Sequence, residues 1–141
     1  MFALFLEFLS QQWWWGVIWA GLFALLFWYE SRKSGKTVSP QELSNLVNRQ
    51  EGVVVDIRDH AEYSRGHIPG ALNIPTAELE KRHVELNNHK QKPVIVVCNL
   101  GQFAGAATKQ LKAAGFSDVY KLGGGISEWT ASQLPLVKKA K

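Results

Sequence analysis

Two runs, Val53–Ile57 (VVVDI) and Pro93–Val97 (PVIVV), constrain this chain's fold more than any other feature. Both are short and rich in β-branched residues, and neither alternates apolar with polar positions. That pattern suits strands buried on both faces, as in a parallel sheet covered by helices. Between and around them lie helix signals. Ser39-Pro40-Gln41-Glu42 combines a capping serine, a proline suited to the first helical turn and a glutamate placed to complete a capping box. The helix is expected to run to about Arg49, to bury Leu43, Leu46 and Val47, and to stop at Gly52. A brief helix is expected over Asp59–Arg65, closed by Gly66, and a small strand over Ala71–Ile74. Thr76 is placed to cap a helix reaching Leu86. A longer helix should span Ala104–Ala114, followed by a strand at Asp118–Lys121 and a last helix at Ile126–Ser132. Strands alternating with helices predict an α/β domain built on a parallel sheet flanked by helices.

The first thirty residues read differently. Residues 1–29 carry a single charged side chain, Glu7, while all 16 Lys and Arg lie from Arg32 onward. Trp13–Tyr29 (WWWGVIWAGLFALLFWY) is free of charge, with Trp13, Trp14 and Trp15 at one end and Trp28 and Tyr29 at the other. Indole and phenol rings favour the headgroup boundary, so the pattern predicts one N-terminal transmembrane helix contacting the lipid bilayer through residues 13–29. Glu7, Ser10, Gln11 and Gln12 are expected to mark an interfacial turn or a solvated helix end. A cleaved signal peptide would start with basic residues and end at a small-residue site, and neither is present. Arg32, Lys33 and Lys36 follow the apolar run. The positive-inside tendency then predicts a single-pass protein of the cell inner membrane, N-terminus outside and second domain in the cytoplasm. The expected organisation is an anchor at 1–30, a linker at 31–37, a domain at 38–137 and a basic tail at 138–141.

Charge and cysteine content narrow the chemistry. The formal net charge of +4 is spread without a basic stripe, so no nucleic-acid footprint is expected. One cysteine, Cys98, excludes an internal disulfide and fits a reducing compartment. The histidines, His60, His67, His83 and His89, show no metal-ligand spacing, so neither a metal nor a cofactor is assigned.

Cys98 ends the second buried run and is followed by Asn99-Leu100-Gly101-Gln102-Phe103 and then a helix. Ligands gather at the carboxyl ends of parallel strands. A tight loop running into a helix N-terminus also offers backbone N–H groups to an anion, and such surroundings favour a cysteine's nucleophilic thiolate form. On spacing alone, a buried cysteine acting as a small hydrophobe is the favoured reading, and it is the surrounding motifs that turn the balance.

The surrounding motifs resemble those of the rhodanese family. Asp56-Ile57-Arg58, Glu62-Tyr63 and Gly66–Pro75 (GHIPGALNIP) match its D-x-R…E-[FY]…GHIxGAxNIP stretch. Pro93–Cys98 resembles its strand and catalytic cysteine, and Leu111–Val119 the helix and strand that follow. Gly123-Gly124-Gly125-Ile126, Trp129 and Leu134-Pro135 resemble its closing element. The likeness covers about residues 38–136, and the anchor-plus-domain layout resembles small bacterial single-span rhodaneses.

The resemblance implies a sulfurtransferase in which Cys98 takes a sulfane sulfur as a persulfide and passes it to a thiol acceptor. The six-residue loop is of the length associated with sulfur substrates. Asn99, Leu100, Gly101, Gln102 and Phe103 would then bind substrate, with Arg58 as a further candidate that could instead brace the fold through Asp56 or Glu62. Family loops carry one or two arginines, whereas Asn99 and Phe103 stand at those positions here. The expectation is a donor less charged than thiosulfate, since charge-assisted hydrogen bonds are the strong ones. The alternative is a catalytically weak rhodanese fold serving as a membrane-tethered binding module for a membrane or membrane-proximal protein. His67, Gly70 and Asn73 are read as structural, Trp129 as core, and Gly123–Gly125 as either a close approach to the site or a plain turn.

Overall fold

The computed structural model describes residues 1–33 and 35–138. They form two compact units, Met1–Lys33 and Ser34–Lys141.

The first unit contains two helices, α1 (Phe2–Gln11) and α2 (Trp13–Lys33). The break falls at Gln12, one residue before the tryptophan triplet, so Glu7, Ser10 and Gln11 lie inside α1. Residues 1–32 are all exposed, including every Trp, Phe and Leu among them. Trp14 stacks on Trp15 with ring centroids 4.5 Å apart, and the Arg32 guanidinium lies 4.1 Å from the Trp28 ring centre. The expectation of a spanning helix requires correction. Among the described residues, no helix is long and apolar enough to cross a membrane. The physical reason is composition: α2 devotes many of its 21 positions to Trp and Tyr, whose N–H and O–H edges are polar, and it also takes in Glu30, Arg32 and Lys33.

The second unit opens with a strand that the sequence pattern had not suggested. β1 (Lys36–Val38) falls where a linker was expected. Three residues on a sheet edge, two of them exposed, carry too little pattern to announce themselves. Then come α3 (Pro40–Gln50), β2 (Val53–Asp56), α4 (His60–Arg65), β3 (Leu72–Asn73), α5 (Leu79–Arg82), β4 (Val94–Val97), α6 (Ala104–Ala113), β5 (Val119–Leu122) and α7 (Gly125–Ala131). The capping box on α3 is present: Glu42 N–H donates to Ser39 Oγ and Ser39 N–H to the Glu42 carboxylate. The helix expected from Thr76 to Leu86 is broken instead into a 3-10 turn at Thr76–Glu78, the short α5, and a second 3-10 stretch at His83–His89. Thr76 does not cap it, because its hydroxyl donates to the Ile57 carbonyl. Of the expected basic tail, residues 139–141 lie outside the described residues.

The five strands form one parallel sheet in the order β1-β5-β4-β2-β3. β4 is central, and all four of its residues are fully buried. Successive side chains point to opposite faces, so Val94 and Val96 join Leu79, Leu86, Ala107 and Leu111 on the side of α5 and α6. Ile95 and Val97 join Leu43, Ile126 and Trp129 on the side of α3 and α7. Burial of each Leu, Ile or Val contributes about 1.5–3 kcal/mol. The two-sided core fixes the register of β4 beside β2, with Asp56 opposite Val97, and so fixes where the next residue, Cys98, leaves the sheet.

Candidate active site at the Cys98 loop

Cys98 follows β4 directly and is 3% exposed. Its Sγ accepts a hydrogen bond from the Gly101 N–H at 2.9 Å. To make that turn Gly101 adopts φ +85°, a conformation that favours glycine. The loop is also held from behind. Ile126 N–H donates to the Cys98 carbonyl at 2.9 Å and Ser127 N–H to the Asn99 carbonyl at 3.1 Å, both from the first turn of α7. This contact settles the role of the glycine triplet. A Cβ at Gly125 would overlap the Cys98 carbonyl oxygen and lie 2.7 Å from the Asn99 carbonyl group. Gly125 is a close approach to the loop where no side chain fits, whereas Gly123 packs against Thr37. On the far side of the loop, α6 begins at Ala104 with no acidic residue in its first turn and no side-chain cap. Its N-terminal N–H groups are thus left uncompensated by nearby carboxylates on the helix.

A cavity of about 450 Å³ opens over Cys98. Of the residues singled out from the sequence, Arg58, Asn99, Leu100, Gln102 and Phe103 line it with Cys98. Gly101 contributes through its N–H to the sulfur. Leu100 and Phe103 are 59% and 66% exposed, so the rim is apolar and accessible. Sequence reasoning passed over four further lining residues, Ile57, Asp59, Glu62 and Thr76. Glu62 accepts a hydrogen bond from the Asn99 amide at 3.0 Å, across 37 positions in sequence. The Glu62-Tyr63 motif was a signal of that site, but nothing in its spacing tied it to Asn99.

Arg58 is at the cavity wall with its charge already paired. Its Nε and Nη2 make a two-point contact with the Asp56 carboxylate, at 2.9 and 2.7 Å, and Nη2 also donates to the Gly66 carbonyl at 2.7 Å. Both side chains are buried, 7% and 1% exposed. The neighbouring motif residues complete the brace. Asn73 donates its amide to the Asp56 and Arg58 carbonyls, His67 Nδ1 pairs with the Tyr63 carbonyl at 2.8 Å, and Tyr63 O–H donates to the Ala71 carbonyl. Burial, together with the nearby Asp56 carboxylate, pushes the Tyr63 phenol above its ordinary range. Gly70 takes φ +81° in this turn. Trp129 is core, with its indole N–H on the Pro135 carbonyl. Among the described residues no cluster of three His, Cys, Asp or Glu could hold a metal ion.

The profile of the rhodanese-like domain matches residues 39–132. The chain belongs to the rhodanese-like domain family. Its relatives include the Escherichia coli K12 protein YibN, 38% identical over 104 residues that make up 73% of each chain. A thiosulfate sulfurtransferase, GlpE, of Pseudoalteromonas translucida is 32% identical over 74% of this chain and 97% of its own. Among solved structures, the rhodanese-related protein of Thermoplasma volcanium superposes with a TM-score of 0.66 at 26% identity, covering 74% of this chain and 99% of its own. Within this rhodanese-like domain, the Cys98 loop offers no side-chain cation, and among the described residues the one cation lining the cavity is Arg58, paired with Asp56.

Proposed function

We propose that the protein is a rhodanese-type sulfurtransferase or persulfide carrier with Cys98 as its nucleophile. The observation that carries this reading is the placement of the Cys98 sulfur on the cavity, with the Gly101 N–H donating to it. Relatives named thiosulfate sulfurtransferase and putative sulfur carrier protein support it. The Cys98 thiolate attacks the outer sulfur of a donor R–S–SH. The S–S bond of the donor breaks, RS⁻ leaves with the electron pair, and Cys98 becomes Cys98–S–SH. In the second half, an acceptor thiolate attacks that outer sulfur, and the Cys98 thiolate is the leaving group. With thiosulfate the leaving group would be sulfite. An arginine-free loop gives that dianion no charge-assisted partner, so the natural donor is a persulfide on a small thiol or a protein.

The same reading keeps the protein at the inner membrane through its N-terminal unit, with the catalytic unit in the cytoplasm. Its support is the uninterrupted exposure of Phe, Leu and Trp along residues 2–28, with the positive charges after it. Confinement to a surface would raise the effective concentration towards any membrane-bound acceptor.

The exposed Leu100 and Phe103, beside a committed Arg58, favour a second reading: a docking module that has given up donor recognition. Intact mass of the full-length protein in detergent, after exposure to a persulfide donor, separates the two. The expected result is a gain of one sulfur, reversed by reductant and absent from Cys98→Ser. A folded protein that never gains sulfur would leave the docking reading standing. Reconstitution of the same preparation with liposomes tests the attachment: co-flotation is expected, and full recovery in the unbound fraction would refute it.

A further inference from the structure

We infer that Glu62 is a specificity-determining residue of this site, a fixed negative charge that selects sulfur donors by their charge. The inference rests on the sulfur-transfer reading and deepens it by naming the donor class: persulfides that carry an ammonium group, in preference to dianions.

Three observations converge. First, Glu62 lines the cavity and is held there by a neutral group, since its carboxylate oxygen accepts from the Asn99 amide at 3.0 Å. An amide positions a carboxylate without cancelling its charge. Second, Asp59 lines the same cavity, and although it sits at the start of α4 its side chain makes no capping bond, so its charge is also left to the cavity. Third, the lining cation, Arg58, is charge-paired with Asp56 through Nε and Nη2, and Nη2 also donates to the Gly66 carbonyl. With Arg58 balanced by Asp56, the cavity wall carries a net negative field from Asp59 and Glu62.

A cleft lined by one sign of charge concentrates counter-charged molecules and repels like-charged ones, with rate effects of about tenfold or more. The reactive form of Cys98 is itself an anion, so a dianionic donor meets three negative groups on its way to the sulfur. A donor bearing an ammonium group meets attraction at the mouth, which offsets the negative charge of its own persulfide. Of the two carboxylates, Glu62 is fastened to the residue next to Cys98, so its charge is held beside the reacting atoms. Asp59 adds to the field from the loop after β2.

The test compares sulfur loading of the full-length protein at neutral pH by three donors: thiosulfate (a dianion), cysteine persulfide (a net monoanion) and cysteamine persulfide (a zwitterion). The wild type is expected to load in the order cysteamine persulfide, cysteine persulfide, thiosulfate. Glu62→Gln keeps a hydrogen-bond acceptor for Asn99 and removes the charge. It should raise the thiosulfate rate about tenfold while lowering the cysteamine persulfide rate, and added salt should compress the wild-type order in the same direction. Asp59→Asn should shift the order the same way, and it serves if Glu62→Gln does not fold. Glu80→Gln removes an equal charge from an exposed position off this cavity and should change nothing. Loading by all donors at equal rates, or an unchanged order in a folded Glu62→Gln, would overturn the charge filter while leaving Cys98 chemistry intact. Loading by none of the three would overturn the sulfur-transfer reading together with it.

Discussion

The loops that follow β2 and β4 leave adjacent strands side by side, and they are held in opposite ways. After β2, side chains do the fastening: Asp56 clasps Arg58, Arg58 reaches the Gly66 carbonyl, and Asn73 ties down two further carbonyls. After β4, the backbone does it, through Ile126 and Ser127 N–H groups on the Cys98 and Asn99 carbonyls, with Gly125 pressed against them. The first loop spends most of its polar groups on holding its shape, with Asp59 left to the cavity. The second leaves Asn99, Leu100, Gln102 and Phe103 facing a cavity with little structural duty.

The sharpest way to break the backbone clamp is Gly125→Ala. The added methyl has no space, and φ at this position is +59°. The expected cost is about 4 kcal/mol or more, read as loss of the cooperative transition in urea, because both strain and overlap must be relieved. Asp56→Asn breaks the side-chain clasp. It leaves the Arg58 guanidinium buried without a counter-charge, and a loss of about 3 kcal/mol is expected by the same measurement. Phe103→Ala probes the contrast from the other side. With the ring 66% exposed, stability should change by less than about 0.5 kcal/mol, while the rate of sulfur loading at Cys98 shifts. A Phe103→Ala variant as unstable as Asp56→Asn would erase the distinction between the two loops.

Legibility in the sequence followed the same division. Strands buried on both faces, the capping box of α3 and the position of Cys98 at a strand end are local patterns, and they place the sheet and its carboxyl edge. The Asp56–Arg58 pair, two residues apart, was one of two partners that the sequence left open for Arg58. Glu62 as the partner of Asn99 was not legible, because hydrogen bonds across 37 positions leave no periodicity. β1 escaped because an edge strand of three residues, two of them exposed, has no apolar pattern. The Thr76 helix failed for a tertiary reason: the hydroxyl that would cap it is drawn to the Ile57 carbonyl. In the N-terminal unit, absence of charge read as a membrane span, while the same tryptophans that suggested the headgroup boundary leave α2 short of the apolarity a span needs.

The pairing of His67 with Val137, each N–H on the other's carbonyl at 2.9 Å, joins positions about seventy residues apart. Chain closure over such a distance costs entropy before it returns any contact, which makes it a late event in folding. The order of synthesis sharpens this. Gly124, Gly125, Ile126 and Ser127 also follow Cys98 in the chain, so a nascent polypeptide carries its thiol for some thirty residues of translation before the groups that clamp its loop exist. Until then Cys98 is an ordinary free cysteine, open to whatever oxidants or metals the compartment contains.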